Sequence, residues 1–228
     1  MIIEKMPAIK PDSKQLTREK IILAGEHLIA VNGVNGVSLR QVITEAGQKN
    51  KSAAHYHFGT REGLILAIYD YRMRKINSQR LALLAAGCHN IEDWIRAWVI
   101  PQIEELETEG GSYYGRFMSQ VSSMPNEDLR QVWSSRHAEG MQQIISGLRN
   151  ALPDLPEVVF SIRVGLAMTQ YIHVLADRER LLEVSSGNGA SSALFISNLI
   201  DVMASGLAAP LSSTTQQEIL LDINNKLA

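Results

Sequence analysis

Residues 38–63 read SLRQVITEAGQKNKSAAHYHFGTREG, and this stretch decides the fold. It opens with a helix that Ser38 caps and Gly47 ends, because Ser is favoured at N-cap positions and Gly just after the last helical turn. The apolar residues of this helix have the i, i+3, i+4, i+7 spacing of one face: Leu39, Val42, Ile43 and Ala46. A second short helix is predicted over residues 51–57, before Gly59. Two short helices joined by a glycine-containing turn form a helix-turn-helix unit.

Longer helices flank this unit. The preceding helix is predicted to begin at Thr17, an N-cap residue type, and to end at Asn32-Gly33. Thr60 caps the following helix, which is predicted from Arg61 to about Ala86. Its periodicity turns one set of side chains inward, Leu64, Ile65, Ile68 and Tyr71, and another outward, Arg72, Arg74 and Lys75. Residues 17–63 are therefore predicted to form a three-helix domain, and residues 64–86 a connecting helix.

The rest of the chain has helical periodicity and no clear strand alternation, which predicts an all-α protein with a C-terminal helical bundle. Helices are predicted from Asn90 to beyond Ile103 and over 112–123, 125–152, 157–184, 190–207 and a tail that a Thr215 capping box opens. The predicted units outside residues 17–86 are a flexible basic arm at 1–16, a large domain at 87–210 and a tail helix at 211–228.

Charge is divided unevenly along the chain. Residues 1–62 hold nine Lys/Arg against six Asp/Glu, a balance of +3, and residues 63–228 hold thirteen against eighteen, a balance of −5. The N-terminal end is thus the better suited to approach a polyanion. Polar residues interrupt the apolar runs, so we expect no membrane association. The chain has a single cysteine, Cys88, which excludes an internal disulfide and fits a cytoplasmic protein.

The second helix of the helix-turn-helix unit is the element that enters the major groove of double-stranded DNA. At about 100° per residue, Ser52, His55 and Tyr56 share one arc with Lys51 beside it, whereas Ala54, His57 and Phe58 face roughly the other way. Lys51 and Asn50 are the first candidates for reading bases, with Ser52 and His55 next. Candidates for phosphate contact are Thr17, Ser38, Arg40, Gln41, Lys49 and Tyr56, and His57 completes the predicted DNA-binding set.

A known family shares these residues. The shared residues are Gly33-Val34, Gly36-Val37-Ser38-Leu39-Arg40, Ala46-Gly47, Tyr56-His57-Phe58-Gly59 and Arg61-Glu62-Gly63-Leu64. With them, residues 17–68 resemble the N-terminal domain of the tetracycline-repressor (TetR) family of bacterial transcriptional regulators. The resemblance implies a homodimer, two domains per subunit and repression relieved by a small ligand. Between Gly47 and Tyr56 the chain holds one residue more than the commonest family pattern, and the turn or the start of the helix must absorb it. The base contacts of Asn50, Lys51 and Ser52 are therefore assigned to within about one position.

Beyond residue 86 the resemblance rests on architecture, and in that family this half dimerises and holds the ligand. An adaptable apolar pocket would use aromatic and sulfur-containing side chains, although such residues are more often plain core. The ligand-binding candidates are Trp94, Trp98, Phe117, Met118, Trp133, Met141, Met168 and Tyr171. The two long helices at 157–184 and 190–207 are the expected dimer interface, although an intramolecular core would also satisfy their apolar faces.

The favoured hypothesis is a ligand-responsive repressor that binds operator DNA. An activator, or a regulator controlled by a partner protein, is the nearest alternative, and an all-α enzyme is the alternative of another class. The histidines outside residues 51–57 form no His-x-x-x-His pair, and the sequence has no phosphate-binding glycine loop or nucleophile elbow. We therefore expect no catalytic residue, no metal site and no cofactor.

Overall fold

The computed structural model describes residues 13–50, 53–107, 112–124, 136–184 and 191–227. These residues form ten α-helices and one 3-10 turn at Val34–Gly36, and they contain no strand, so the all-α prediction is confirmed. The helices are α1 (Ser13–Asn32), α2 (Leu39–Glu45), α3 (Ala53–Phe58), α4 (Arg61–Ala85), α5 (Ile91–Leu106), α6 (Tyr114–Ser122), α7 (Glu139–Ala151), α8 (Glu157–Val184), α9 (Ser192–Ala208) and α10 (Ser213–Leu227).

Helices α1, α2 and α3 pack with the start of α4 into an N-terminal head, which we define as residues 13–68. Its core consists of fully buried aliphatic side chains: Ile21, Ile22, Ile29, Val42, Ile43, Leu64, Ile65 and Ile68. Removing each such side chain from water stabilises the fold by about 1.5 to 3 kcal/mol. The head therefore holds its short helices by burial, since helices of this length are unstable alone.

The ends of the head helices follow their local signals. Ser38 caps α2, and Thr60 caps α4 by accepting from the Gly63 backbone N–H at 3.1 Å. The exception is α1, which begins at Ser13, so the predicted start at Thr17 is wrong by one helical turn. The rest of the predicted arm, residues 1–12, lies outside the described residues.

Helices α5, α7, α8 and α9 form the C-terminal bundle. Its buried core includes Trp98, Ile103, Ile144, Leu148, Tyr171, Leu175, Ile200 and Met203. The bounds of α8 are those predicted, and α9 begins and ends within two residues of its prediction. Together these helices make the predicted helical bundle.

Two helix predictions in the C-terminal half are wrong. The helix predicted over 125–152 does not run through, because residues 136 and 137 form a turn in which His137 has φ 53°. Residues 125–135 lie outside the described residues. The tail helix begins at Ser213, and its cap is Ser212, whose hydroxyl accepts from the Thr215 backbone N–H at 3.2 Å. The Thr215 capping box is therefore not formed, because Thr215 already lies in the first turn.

Helix α6 joins the head to the bundle. It packs on α1 and on α8, and its residues Tyr114, Phe117 and Val121 are buried in the core of the head. Toward α8, the Arg116 guanidinium Nε lies 3.3 Å from a Glu179 carboxylate oxygen, and Arg116 also pairs with Glu183. Residues from the sequence-predicted large domain thus complete the core of the N-terminal head.

The outward orientation predicted for Arg72 is wrong. Arg72 is buried at 8% exposure, whereas Arg74 and Lys75 are exposed as predicted. The reason is tertiary: Glu26 of α1 and Glu105 of α5 both lie against the Arg72 guanidinium. A helix face that looks polar in sequence is therefore an internal contact between head and bundle.

Candidate nucleic-acid interface

The start of α2 is fixed by a complete capping box. The Gln41 backbone N–H donates to the Ser38 hydroxyl at 3.3 Å, and the Ser38 backbone N–H donates to the Gln41 side-chain oxygen at 2.8 Å. The Ser38 hydroxyl also donates to that oxygen at 2.7 Å. Both side chains, predicted as DNA contacts, are thus hydrogen-bonded to each other and set the direction of α2.

The turn after α2 has the geometry that its glycine predicts. Gly47 has φ 63°, in the left-handed region, and the Gln48 backbone N–H donates to the Ile43 carbonyl at 3.1 Å. This closure ends α2 and leads the chain through Lys49 and Asn50, both exposed, toward α3. Lys51 and Ser52, predicted to contact bases, lie outside the described residues.

Helix α3 has one buried and one exposed side. Ala53 and Ala54 are buried at 7% and 1% exposure, whereas His55 is exposed and Tyr56 is 76% exposed. His57 is partly buried, and its ring centroid lies 5.1 Å from that of Tyr56. The outward direction predicted for His55 and Tyr56 is therefore confirmed. We call the exposed residues of this region the reading surface: Arg40, Lys49, Asn50, His55 and Tyr56.

A cleft beside the reading surface was missed in the sequence. It has a volume of about 880 Å³ and lies between α1, α3 and α4. Its lining includes Tyr56 and His57, four cations and two carboxylates: Lys14, Arg18, Arg74 and Lys75, and Glu19 and Asp70. The Arg18 guanidinium carbon lies 5.4 Å from the centroid of the Phe58 ring, which fixes α1 against α3. Lys14 and Arg18 are one turn apart on α1, and the late predicted start of that helix hid this spacing. Thr17, predicted to cap α1, lies inside it instead.

The predicted ligand-binding residues divide between the two cores. Trp98 and Tyr171 are fully buried in the bundle core, with ring centroids 6.1 Å apart. Three more candidates pack at the edge of that core, Trp94, Met141 and Met168. Phe117 lies in the core of the head with Met118 packed against it, and Trp133 lies outside the described residues. The structure thus brings five of the eight candidates together around one core.

Comparison with known proteins identifies the second half of the chain. Residues 96–206 match the family model for the tetracyclin repressor-like C-terminal domain. Its C-terminal domain belongs to the TetR family. A search of the curated proteins found no match.

Solved structures of TetR-family proteins have the same fold at low sequence identity. A putative TetR-family transcription regulator from Shewanella sp. PV-4 is 14% identical, with a TM-score of 0.61 over 82% of this chain and 96% of its own. A TetR-family regulator from Marinobacter aquaeolei VT8 is 18% identical, with a TM-score of 0.58 over 84% and 95%. AibR, solved with isovaleryl coenzyme A and operator DNA, is 16% identical, with a TM-score of 0.52 over 86% and 100%. The Shewanella and Marinobacter proteins are described as transcription regulators, which is the class expected from the sequence.

In this TetR-type chain, a buried ionic network crosses from the head to the bundle. Arg72 donates from Nε and Nη2 to the two carboxylate oxygens of Glu26, each at 2.7 Å, and from Nη1 to Glu105 at 2.6 Å. Lys75 lies 2.6 Å from the second Glu105 oxygen, and the Tyr113 backbone N–H donates to Glu26 at 3.1 Å. We call this set the junction network. It ties α1, α4 and α5 together, because bidentate Arg pairs tolerate little change in geometry.

Proposed function

We propose that this protein is a homodimeric transcriptional repressor that binds operator DNA and releases it when a small molecule binds within residues 87–210. The observation that carries the proposal is the reading surface, where His55 and Tyr56 stand exposed on a helix whose other side is buried in the head. A rigid helix that presents polar side chains beside a basic cleft meets the needs of both base and phosphate contact.

The exposed residues are divided between two kinds of DNA contact. Asn50 and His55 are assigned to base edges together with Lys51 and Ser52, since amide and cationic groups pair with acceptors and donors in the major groove. Arg40, Lys49 and Tyr56 are assigned to phosphates, which position the head without reading sequence. Arg18 and Arg74 of the cleft extend the phosphate-binding surface along α1 and α4, whereas Lys75 is paired with Glu105.

The homodimer is supported by apolar side chains that the subunit leaves exposed. On α8, Val158, Ile162 and Leu166 follow one another at i+4 spacing and are 42%, 56% and 65% exposed. On α9, which packs against α8, Leu194 and Val202 are 61% and 44% exposed. Burial of these two helices against their copies would form a four-helix contact with two-fold symmetry.

Helix α8 has a second possible reading, as a membrane span. Among the described residues, α8 meets the length and composition expected of a membrane span, and 28% of its most apolar 18-residue stretch is buried. The expectation of a protein without membrane association stays a prediction. Subunit contact accounts for the same apolar surface in a regulator that acts on DNA, and we keep the cytoplasmic assignment on that ground.

Repression would be relieved by a change in the distance between the two heads of the dimer. Two recognition helices bind together only when their spacing matches successive major grooves, about 34 Å apart. The junction network fixes the head to the bundle, so a ligand that moves α4 or α5 also moves the head. The ligand acts by favouring one of two arrangements, and it shifts the balance only by its difference in affinity for them.

The DNA-binding part of the proposal is tested by the salt dependence of affinity. DNA fragments enriched from genomic DNA serve as the probe. The dissociation constant is measured at salt concentrations from about 50 to about 200 mM, the range in which phosphate contacts make the affinity fall steeply. Each lost phosphate contact reduces the slope of log affinity against log salt by about 0.9, and a dimer loses two. We expect Arg40→Ala to reduce the slope by about 1.8.

The matched control is Arg96→Ala, which removes an exposed arginine from α5, away from the head. It leaves the slope unchanged if the reading surface is assigned correctly. Equal slopes for the two variants, or no retention of DNA by the unaltered protein at low salt, would contradict the proposed DNA-binding role.

A further inference from the structure

Arg80 is a buried cation with an unusual environment. It lies on α4 at 2% exposure, and its Nη2 donates to the Trp98 carbonyl at 3.3 Å and to the Gln102 side-chain oxygen at 3.1 Å. Among the described residues, no carboxylate lies within salt-bridge distance of Arg80. Burial lowers the pKa of Arg80, but a guanidinium stays protonated in proteins, so the positive charge remains.

The other buried arginines of this chain are compensated. Arg72 has Glu26 and Glu105, Arg116 has Glu179, and Arg178 has Glu107. A buried charge without a counter-charge is strongly destabilising, which is why buried cations are normally paired. The difference at Arg80 therefore calls for a partner that is not part of the described chain.

Arg80 and two residues that interact with it carry buried polar atoms without a partner. Three buried atoms have no hydrogen-bond partner among the described residues: Arg80 Nε, Trp98 Nε1 and the Tyr114 hydroxyl. Trp98 also accepts from Arg80 through its carbonyl, and the Tyr114 hydroxyl is close enough to act electrostatically on the guanidinium. Arg Nε–H and Trp Nε1–H can only donate, so the group that completes this site has to be an acceptor.

We propose that Arg80, Trp98 and Tyr114 bind the carboxylate of a small-molecule effector whose remaining part is apolar. The inference rests on the proposed ligand-controlled repressor, names the chemical class of its ligand and extends the ligand site from residues 87–210 to Arg80 of α4. A carboxylate supplies both a negative charge and several acceptor lone pairs, and charge-assisted hydrogen bonds to guanidinium are among the strongest in proteins. The neighbouring rings of Phe117 and Tyr171 favour an apolar body on the ligand.

The position of this site explains how binding would reach the head. Tyr114 belongs to the core of the head and Trp98 to the core of the bundle, so the site lies where the two cores meet. All three binding residues are at most 2% exposed, and an anion therefore reaches them only when α4, α5 and α6 move apart. Arg72 of the junction network lies two turns from Arg80 on α4. Binding and the displacement of the head are then one event.

The test uses the full chain and a series of unbranched monocarboxylates from acetate to decanoate, each paired with its neutral primary amide. Binding is measured by the rise in Tm and by the change in tryptophan fluorescence. We expect carboxylates to bind at least about tenfold more tightly than the matched amides, the ratio for a charge-assisted hydrogen bond. Arg80→Met should remove this preference. Equal binding of acids and amides, no binding of any acid, or a preference kept by Arg80→Met would overturn the inference.

The stability of the ligand-free variants separates a binding role from a structural one. If Arg80 is present for a ligand, Arg80→Met removes an uncompensated buried charge and leaves the Tm equal or higher. Arg116→Met, which leaves Glu179 without its cation, is the matched control and should lower the Tm. A fall in Tm for Arg80→Met as large as for Arg116→Met would show that Arg80 is structural and would overturn the inference.

A measurement of DNA affinity separates this inference from the proposed function. If an acid binds through Arg80 but DNA affinity does not change, the site is supported and ligand-controlled repression is refuted. If the protein binds DNA and no acid binds, the inference fails while DNA binding stands.

Discussion

Replacement of Arg72 by methionine tests the junction network most directly. The variant leaves Glu26, which is 1% exposed, without the guanidinium that now donates to both of its oxygens. Glu105 keeps Lys75 at 2.6 Å, so the loss falls mainly on Glu26. Removing one partner of a buried ion pair costs about 3 to 5 kcal/mol, and we expect the lower end because Glu105 remains paired. For a chain of this size, about 3 kcal/mol corresponds to a fall in Tm of about 6 to 12 °C.

The assay is urea unfolding followed by circular dichroism, with the Tm measured alongside. Arg72→Met combined with Glu26→Gln should recover most of the lost stability, since the double variant no longer buries a lone carboxylate. Arg180→Met is the surface control, because Arg180 and Asp177 are 52% and 70% exposed and such pairs contribute at most about 1 kcal/mol. If Arg72→Met costs no more than Arg180→Met, the network does not hold the head to the bundle and the proposed route from ligand to DNA is refuted.

Three further variants test other parts of the structure. Ser38→Ala should lower the unfolding free energy by about 1 kcal/mol because it removes the cap of α2, and Ser38→Asp, which keeps an acceptor, should restore most of it; equal losses would contradict the capping role. Burial raises the pKa of Glu179 from 4.5 to about 7, although its hydrogen bonds with Arg116 act in the opposite direction, so the folded protein holds this proton to a higher pH than the unfolded chain. The stabilisation from this proton is present in full below about pH 4.5 and is lost as the pH rises to about 7. The free energy of unfolding should fall by up to about 3 kcal/mol over this range, as measured by urea unfolding, and Glu179→Gln should abolish the change. The same pH profile in the variant and the unaltered protein would refute this expectation. Leu166→Glu should convert the dimer to monomers in sedimentation experiments, whereas Leu220→Glu on α10, where the leucine is equally exposed, should not; the opposite result would place the interface on α10.

Features with local causes were predictable from the sequence. The capping residues Ser38 and Thr60 and the turn at Gly47 act within a few residues, and the helices that they bound were predicted closely. The helical angle alone was enough to predict that Ala54 is buried and that His55 and Tyr56 are exposed.

Features with tertiary causes were not predictable. Arg72 and Arg80 look like surface residues of a long helix, because periodicity contains no information on Glu26, Glu105 or the Trp98 carbonyl. The break at His137 also had no signal, since a non-glycine residue with positive φ is uncommon. Local rules therefore predicted much of the reading surface, whereas the groups that connect it to the bundle required the packed structure.

The burial of α6 in the head limits how regulators of this kind can be recombined. Phe117 and Val121 fill the core beneath α1, although more than forty residues separate them from the end of the head in sequence. A chimera that exchanges only residues 1–86 would place a foreign α6 against that core and leave mismatched side chains at its centre. New operator specificity is thus expected to arise through substitutions on the reading surface rather than through transplantation of whole heads, unless α6 is exchanged with them.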